Sequence, residues 1–175
     1  GVRTVSIRSA AGGFQVGGIQ LGRDPVMADE KYIKNLTMKF TEDIQTVEAE
    51  NMDIKNDSSI TGGVDRTDAG VSPIDPVYKR VNVLDGSKFS KPGQSAGWKI
   101  KVKKDGRYRI GIKYKQNGLQ GAFVTRRLII DGKPVCAGAE NLQFGYSESW
   151  QYIVLQAGGQ DLCLDLKAGE HILSL

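Results

Sequence analysis

At 175 residues the chain is slightly longer than one typical domain of about 150. Its 24 basic and 20 acidic residues and 39% hydrophobic content exclude a disordered tail and suit a single substantial core. A single His, two Cys and three Met exclude a multi-His zinc site, a four-Cys cluster and any scheme needing two histidines within one chain.

In chain order, Arg3 to Arg8 reads as a strand, and Ala11-Gly12-Gly13 turns into a second one, Phe14 to Leu21, interrupted by Gly17-Gly18. Gly1 to Ser9 lacks the apolar centre of a signal peptide, and a start at Gly1 suggests a piece of a longer protein. Ala28 to Phe40 is a short helix or a connector. Asn56 to Pro76, rich in Asp, Ser, Gly and Thr, is a long irregular loop of the kind that carries function.

From Trp98 onward the period is two. Trp98, Ile100 and Val102 alternate with Lys99, Lys101 and Lys103, and Tyr108, Ile110, Ile112 and Tyr114 share one face of the next run. Lys104-Asp105-Gly106 between them predicts a hairpin. Val124 to Ile130, Trp150 to Gln156, Asp161 to Leu166 and His171 to Leu175 follow as strands separated by glycine turns. This rhythm predicts an all-β fold, an antiparallel sandwich with at most a short helix. No apolar run approaches the roughly 18 residues that span a bilayer.

The formal charge of +4 raises the question of an anionic partner. The basic positions alternate along strands without interleaved aromatics, so a solvated face is the expectation and nucleic acid is not an expected partner. Cys136 and Cys163 permit one disulfide without requiring it.

Val47-Glu48-Ala49-Glu50-Asn51 resembles the opening strand of family 6 and family 35 carbohydrate-binding modules. In the same order follow Ser95-Ala96-Gly97-Trp98, Asp105-Gly106-Arg107-Tyr108, Leu128 to Gly132, Ser149-Trp150 and the ending Lys167-Ala168-Gly169-Glu170-His171-Ile172-Leu173-Ser174-Leu175. Glu48 to Ser58, Asp65-Arg66-Thr67, Pro92-Gly93-Gln94, Tyr114 to Asn117, Arg126 to Lys133 and Phe144-Gly145-Tyr146 are similar to a non-catalytic module in extracellular solute-binding proteins of Gram-positive ABC sugar importers. The resemblance implies a jelly-roll, galactose-binding-like sandwich over residues 36–175. Residues 1–35 then supply closing strands and a connector, or the tail of an upstream copy. Pairing of residues 3–9 with 170–175 would favour the first arrangement. It further implies an oligo- or polysaccharide partner, packing against the sugar-binding lobes of a parent protein, and an extracellular, cell-surface-attached location. A spacer without a ligand of its own is the rival reading.

A sugar site needs flat aromatic faces ringed by hydrogen-bonding groups. Gln116 and Asn117 occupy the loop at the end opposite Asp105-Gly106, the end that carries the ligand loops in the resembling modules. Asp65, Arg66 and Gln94 sit in other long loops that could converge there, or act as turn formers and loop staples. Arg126 shares parity with Val124, Leu128 and Ile130, so its guanidinium needs an inward partner such as Asp65 or a ligand. Tyr146, between Gly145 and Ser147, is the candidate stacking ring, whereas Trp98 and Trp150 are expected core anchors. Glu48 and Glu50 share parity and could hold calcium with backbone carbonyls, or form a solvated acidic edge. In the resembling modules an Asp of the closing strand completes that calcium site, and Phe14 to Leu21 offers no acid. No carboxylate pair is set off by apolar neighbours, and His171 lacks a Ser or Cys nucleophile setting, so no catalytic residue is expected.

Overall fold

The computed structural model describes residues 26–67, 71 and 80–175. The expected strands at Arg3 to Arg8 and Phe14 to Leu21, and with them the pairing of residues 3–9, lie outside the described residues. A short helix, α1 (Asp29–Asn35), precedes fifteen strands among the described residues. These are β1 (Ile54–Lys55), β2 (Gly62–Gly63), β3 (Val83–Leu84), β4 (Ala96–Val102), β5 (Gly106–Arg109), β6 (Gly111–Gln116), β7 (Phe123–Arg126), β8 (Ile129–Ile130), β9 (Lys133–Pro134), β10 (Leu142–Gly145), β11 (Ser147–Val154), β12 (Gln156–Ala157), β13 (Gln160–Asp161), β14 (Cys163–Leu166) and β15 (Gly169–Ser174).

Among the described residues every strand ladder is antiparallel, as the short alternating runs predict, and one isolated bridge, Phe40 to Arg107, is parallel. One layer is a five-stranded sheet in the order β1-β4-β15-β8-β9. The pairs β5–β14, β6–β11 and β7–β10 supply the other. Trp98 and Val102 point inward from β4 while Lys99 and Lys101 stay exposed. Val102 packs with Leu164 and Leu166 of β14 and with Tyr108 and Ile130, which is the sheet-on-sheet contact of a sandwich. A second cluster, Leu128, Leu142, Phe144, Leu155 and Leu162 with Cys136, lies under β6, where Tyr114 meets Phe144 edge-on at 5.0 Å.

Several local expectations change. The expected strand from Val124 to Ile130 is divided into β7 and β8, which belong to different sheets. Lys104-Asp105-Gly106 does not close a hairpin: β4 pairs with β1 and β15, whereas β5 pairs with β14. The turn is the crossing between the two layers. Val47 to Asn51 is not a strand but a turn closed by Asn51 N–H donating to the Glu48 carbonyl (3.0 Å). The run from Tyr108 to Lys115 is broken at Ile110, whose carbonyl accepts from Leu155 N–H instead of continuing a ladder.

Helix α1 is held on the body by Asp29, which accepts from Gly138 N–H (2.7 Å), and by the Tyr32 hydroxyl, which donates to the Cys163 carbonyl (2.8 Å). The connector that follows is pinned by Asp165, whose carboxylate accepts from the backbone N–H groups of Thr37 and Met38 and from Arg107 Nε (3.0 Å). Burial pushes the Asp165 carboxyl up, and the Met38, Arg107 and Thr37 hydrogen bonds outweigh that and hold it low. Both cysteines are free thiols; burial pushes that of Cys136 up to about 11.

Candidate functional site: the loop end of the sandwich

The chain enters β4 at Ala96 and leaves β6 at Gln116, so both points lie at the end opposite the Asp105-Gly106 crossing. The register places three neighbours there, since Ser147 pairs with Gln116, and Gly145, one residue before Tyr146, pairs with Phe123.

Gln116 is 8% exposed, and its amide organises the following loop. Its Oε1 accepts from the N–H of Gly118 (3.0 Å) and Leu119 (2.9 Å), while Nε2 donates to the carbonyls of Leu119 and Ala122 (3.2 Å each). Gln116 is therefore the staple that shapes the 117–122 loop, and the loop exposes Asn117 and Leu119.

Among the described residues Asp65 is the most heavily bonded acid at this end. Its carboxylate accepts from Lys115 Nζ (2.6 Å), Trp150 Nε1 (3.0 Å), Thr67 N–H (2.7 Å) and Thr67 Oγ1 (2.6 Å). Burial alone would raise its pKa, but the Lys115, Thr67 and Trp150 hydrogen bonds overcome that and set the carboxyl well below the usual range. Lys115 Nζ also lies 5.6 Å from the Trp150 ring centroid. Asn82 clamps the Asp65 backbone from behind, with Oδ1 accepting its N–H (2.8 Å) and Nδ2 donating to its carbonyl (2.9 Å). Arg66, the next residue, is exposed.

Arg126 is half-buried, as its parity predicts, but its partner is not Asp65. Nη2 donates to the Phe89 carbonyl (2.6 Å), the guanidinium carbon stands 4.3 Å from the Phe89 ring centroid, and Nη1 donates to Thr125 (3.0 Å). Burial lowers its pKa. Trp98 is the core anchor expected of it, with Nε1 on the Ala49 carbonyl (3.0 Å). Trp150 is only half-buried and serves Asp65.

Gln94 closes a different loop. Its Oε1 accepts from Lys91 N–H (2.9 Å), and Nε2 donates to Asp57 Oδ2, Ser59 Oγ and the Lys88 carbonyl (3.0 to 3.1 Å). The Ser59 and Gln94 hydrogen bonds pull the Asp57 carboxyl down to about 2. A shallow, open depression of about 430 Å³ lies over this loop, lined by Asn56, Asp57, Lys91 and Gln94.

Tyr146 is half-buried, and its hydroxyl donates to Glu148 Oε1 (2.8 Å). Sequence reasoning missed its neighbour Phe123, which is 53% exposed on the outward parity of β7. Opposite it stands Gly145, where an added β-carbon would meet nothing within 4 Å. Phe123 thus stands outward across the ladder from a glycine, the residue that precedes Tyr146 in the chain. The signal was present in the period-two pattern, since Phe123 alternates with the half-buried Val124 and precedes the expected start of the strand. Tyr152, 70% exposed on β11, is a different case: it lies across Gly111, where a β-carbon would overlap its hydroxyl. It covers a glycine of the neighbouring strand.

Glu48 and Glu50 are both half-buried; burial, followed by the Glu48 charge, pushes the Glu50 carboxyl up. Among the described residues no three acidic, His or Cys side chains gather as a metal site. Among the same residues no helix is long and apolar enough to cross a membrane.

No protein-family model matches the chain, and no curated protein matches it. Its fold is similar to part of a cycloisomaltooligosaccharide glucanotransferase from Paenibacillus sp., solved in complex with cycloisomaltoheptaose. The TM-score is 0.53 and the identity 21% over 79% of this chain. The chain spans 17% of the length of that protein, so it matches one β-rich piece of a much larger molecule.

Proposed function

We propose that the chain is a non-catalytic carbohydrate-binding module that takes a glycan at the loop end of its sandwich. The observation that carries this reading is Phe123, a large aromatic side chain 53% exposed across the ladder from Gly145, the residue before Tyr146. An aromatic face of this kind accepts the apolar side of a pyranose, while the exposed polar groups of Asn117, which follows β6, and Glu148, on the partner strand β11, suit its hydroxyls. The fold likeness to a piece of a protein complexed with a cyclic oligosaccharide supports the same reading.

The parent we propose is an extracellular solute-binding protein of an ABC sugar importer, on the strength of the sequence resemblance. The module would pack against its sugar-binding lobes. Asp57, Asp65, Asp105, Asp131 and Asp165 are all held low by hydrogen bonds, which suits structural carboxylates rather than a general acid needing a raised pKa. A calcium ion between Glu48, Glu50 and backbone carbonyls remains part of the proposal, tested by a calcium-dependent rise in Tm.

Calorimetric titration of the chain with linear and cyclic gluco-oligosaccharides, cycloisomaltoheptaose included, together with a glycan array, tests the assignment. Binding is expected to weaken about tenfold in Phe123→Ala and in Tyr146→Ala with the circular dichroism unchanged. Failure of the intact chain to bind any glycan would overturn the reading in favour of a spacer. Binding indifferent to both substitutions would remove the site from the loop end.

A further inference from the structure

We propose that His171 is a proton-operated latch that ties together the turns at the closed end of the sandwich, opposite the candidate glycan site. Its ring lies between two oxygen atoms, with Nδ1 2.7 Å from Asp131 Oδ2 and Nε2 2.9 Å from the Lys167 carbonyl. A carboxylate and a carbonyl both only accept hydrogen bonds, so both ring nitrogens must donate. Only the imidazolium does so. A neutral ring has one N–H, and loss of the proton leaves a nitrogen lone pair facing an oxygen lone pair on one side or the other.

Each partner is fixed independently of the histidine. Asp131 Oδ1 accepts from Ile172 N–H (2.8 Å), and Asp131 N–H donates to the Ile172 carbonyl (2.9 Å). Asp131 and Gly132 both have positive φ, 50° and 75°, as in the two-residue turn that joins β8 to β9. Lys167 precedes the turn into β15; its Nζ reaches Asp105 Oδ2 (2.8 Å), and Ala168 N–H reaches Asp105 Oδ1 (2.7 Å). The one ring therefore joins the β8–β9 turn to the β14–β15 turn, and through Asp105 to the crossing between the two layers.

The nearest charge, that of Asp131, favours the same protonation state. Asp131 faces the ring from the β8–β9 turn, with the Lys133 charge acting on Asp131; Lys167 meets the ring through its carbonyl, and its Nζ is paired with Asp105 at the layer crossing. On β15 itself Glu170 stands next to His171, opposite Lys101 and 3.9 Å from Lys99. Opposite His171 on β4 is Ile100, which adds no charge. The Asp131 hydrogen bond, then that of the Lys167 carbonyl, raises the His171 pKa above its ordinary value near 6.5, against the smaller opposing effect of burial. A raised folded pKa means that the stabilisation is complete below about 6.5 and is lost as pH rises through the folded value. The latch is closed in acid and opens toward alkali.

His171 is the single histidine of the chain, so its ring proton and carbon resonances titrate without overlap. NMR titration of the intact chain is expected to give a midpoint above about 6.5, and Asp131→Asn is expected to move that midpoint down. Amide exchange at Asp131 and Ile172, corrected for intrinsic base catalysis, is expected to accelerate through the same midpoint, and to lose that step in His171→Gln. A midpoint at or below about 6.5 in the intact chain would overturn the proposal, whether or not either variant folds. Turn amides that ignore the midpoint would overturn it equally. No glycan enters these measurements, so the outcome is separate from that of the function proposed above.

Discussion

Replacing Asp65 by Ala should detach the Asp65-Arg66-Thr67 segment from the β6–β11 face. The side chains of Asp65 and Lys115 are 12% and 14% exposed, so the pair lies largely out of water. Removal of one partner of a buried pair costs roughly 3 to 5 kcal/mol, because the remaining charge is left without compensation. Here the residual exposure lets water reach Lys115, and the lower end, about 3 kcal/mol, is expected. At roughly 2 to 4 °C per kcal/mol for a chain of this size, Tm should fall by about 6 to 12 °C. Urea unfolding followed by tryptophan emission reads the change, and Trp150 reports on the site directly because its indole N–H is bonded to the same carboxylate.

A double-mutant cycle with Lys115→Met separates the pair from the rest. The double variant should be less destabilised than the sum of the singles by about 1 to 3 kcal/mol, since no orphaned charge remains. pH provides a second check. The folded Asp65 pKa is depressed, so its contribution is complete above the unfolded value near 3.9 and is lost as pH falls through the folded value. The acid limb of the stability curve should therefore flatten in Asp65→Ala. A cost below about 1 kcal/mol, or strict additivity with Lys115→Met, would refute the claim that this pair pins the segment.

Two further outcomes follow from the same geometry. Gln116→Ala strips four hydrogen bonds from the 117–122 loop and should cost about 1 to 3 kcal/mol by urea unfolding, with faster amide exchange at Gly118 and Leu119. Wild-type exchange rates at those two amides in the variant would show that the loop holds itself. In native protein near pH 8 an aromatic disulfide reagent should find Cys163, which is half-buried, while Cys136, buried and with its thiol pushed up to about 11, should react only after unfolding. No titratable thiol at all would mean that the two are bridged.

The candidate site was legible to different depths. That Gln116 sits at the end opposite Asp105-Gly106 follows from strand order, and that Arg126 needs an inward partner follows from parity. The identity of that partner did not follow. Phe89 and Asp65 both lie in segments without periodicity, and nothing local distinguishes a carbonyl under a ring from a carboxylate as the acceptor for a guanidinium. Asp65 goes to Lys115 instead, a residue that parity placed on the solvated side of β6 and that only the folded loop covers. Phe123 was overlooked because a single outward aromatic is unremarkable until the residue across the ladder proves to be Gly145.

Alternation of apolar and polar residues is a local property, and it determined the class of fold, the inward faces of Trp98, Val102, Leu164 and Leu166, and the outward lysines of β4. Pairing is not local. Asp105-Gly106 is compatible with a hairpin or with a crossing between layers, and the chain takes the second course, with β4 pairing six residues of β15 and β5 pairing four of β14. The same assembly brings His171 between Asp131 and Lys167, and Tyr152 across Gly111. Side-chain period is set residue by residue along the backbone. Strand partners and shared acceptors are chosen by burial summed over the whole sandwich, which is why only the tertiary structure decided them.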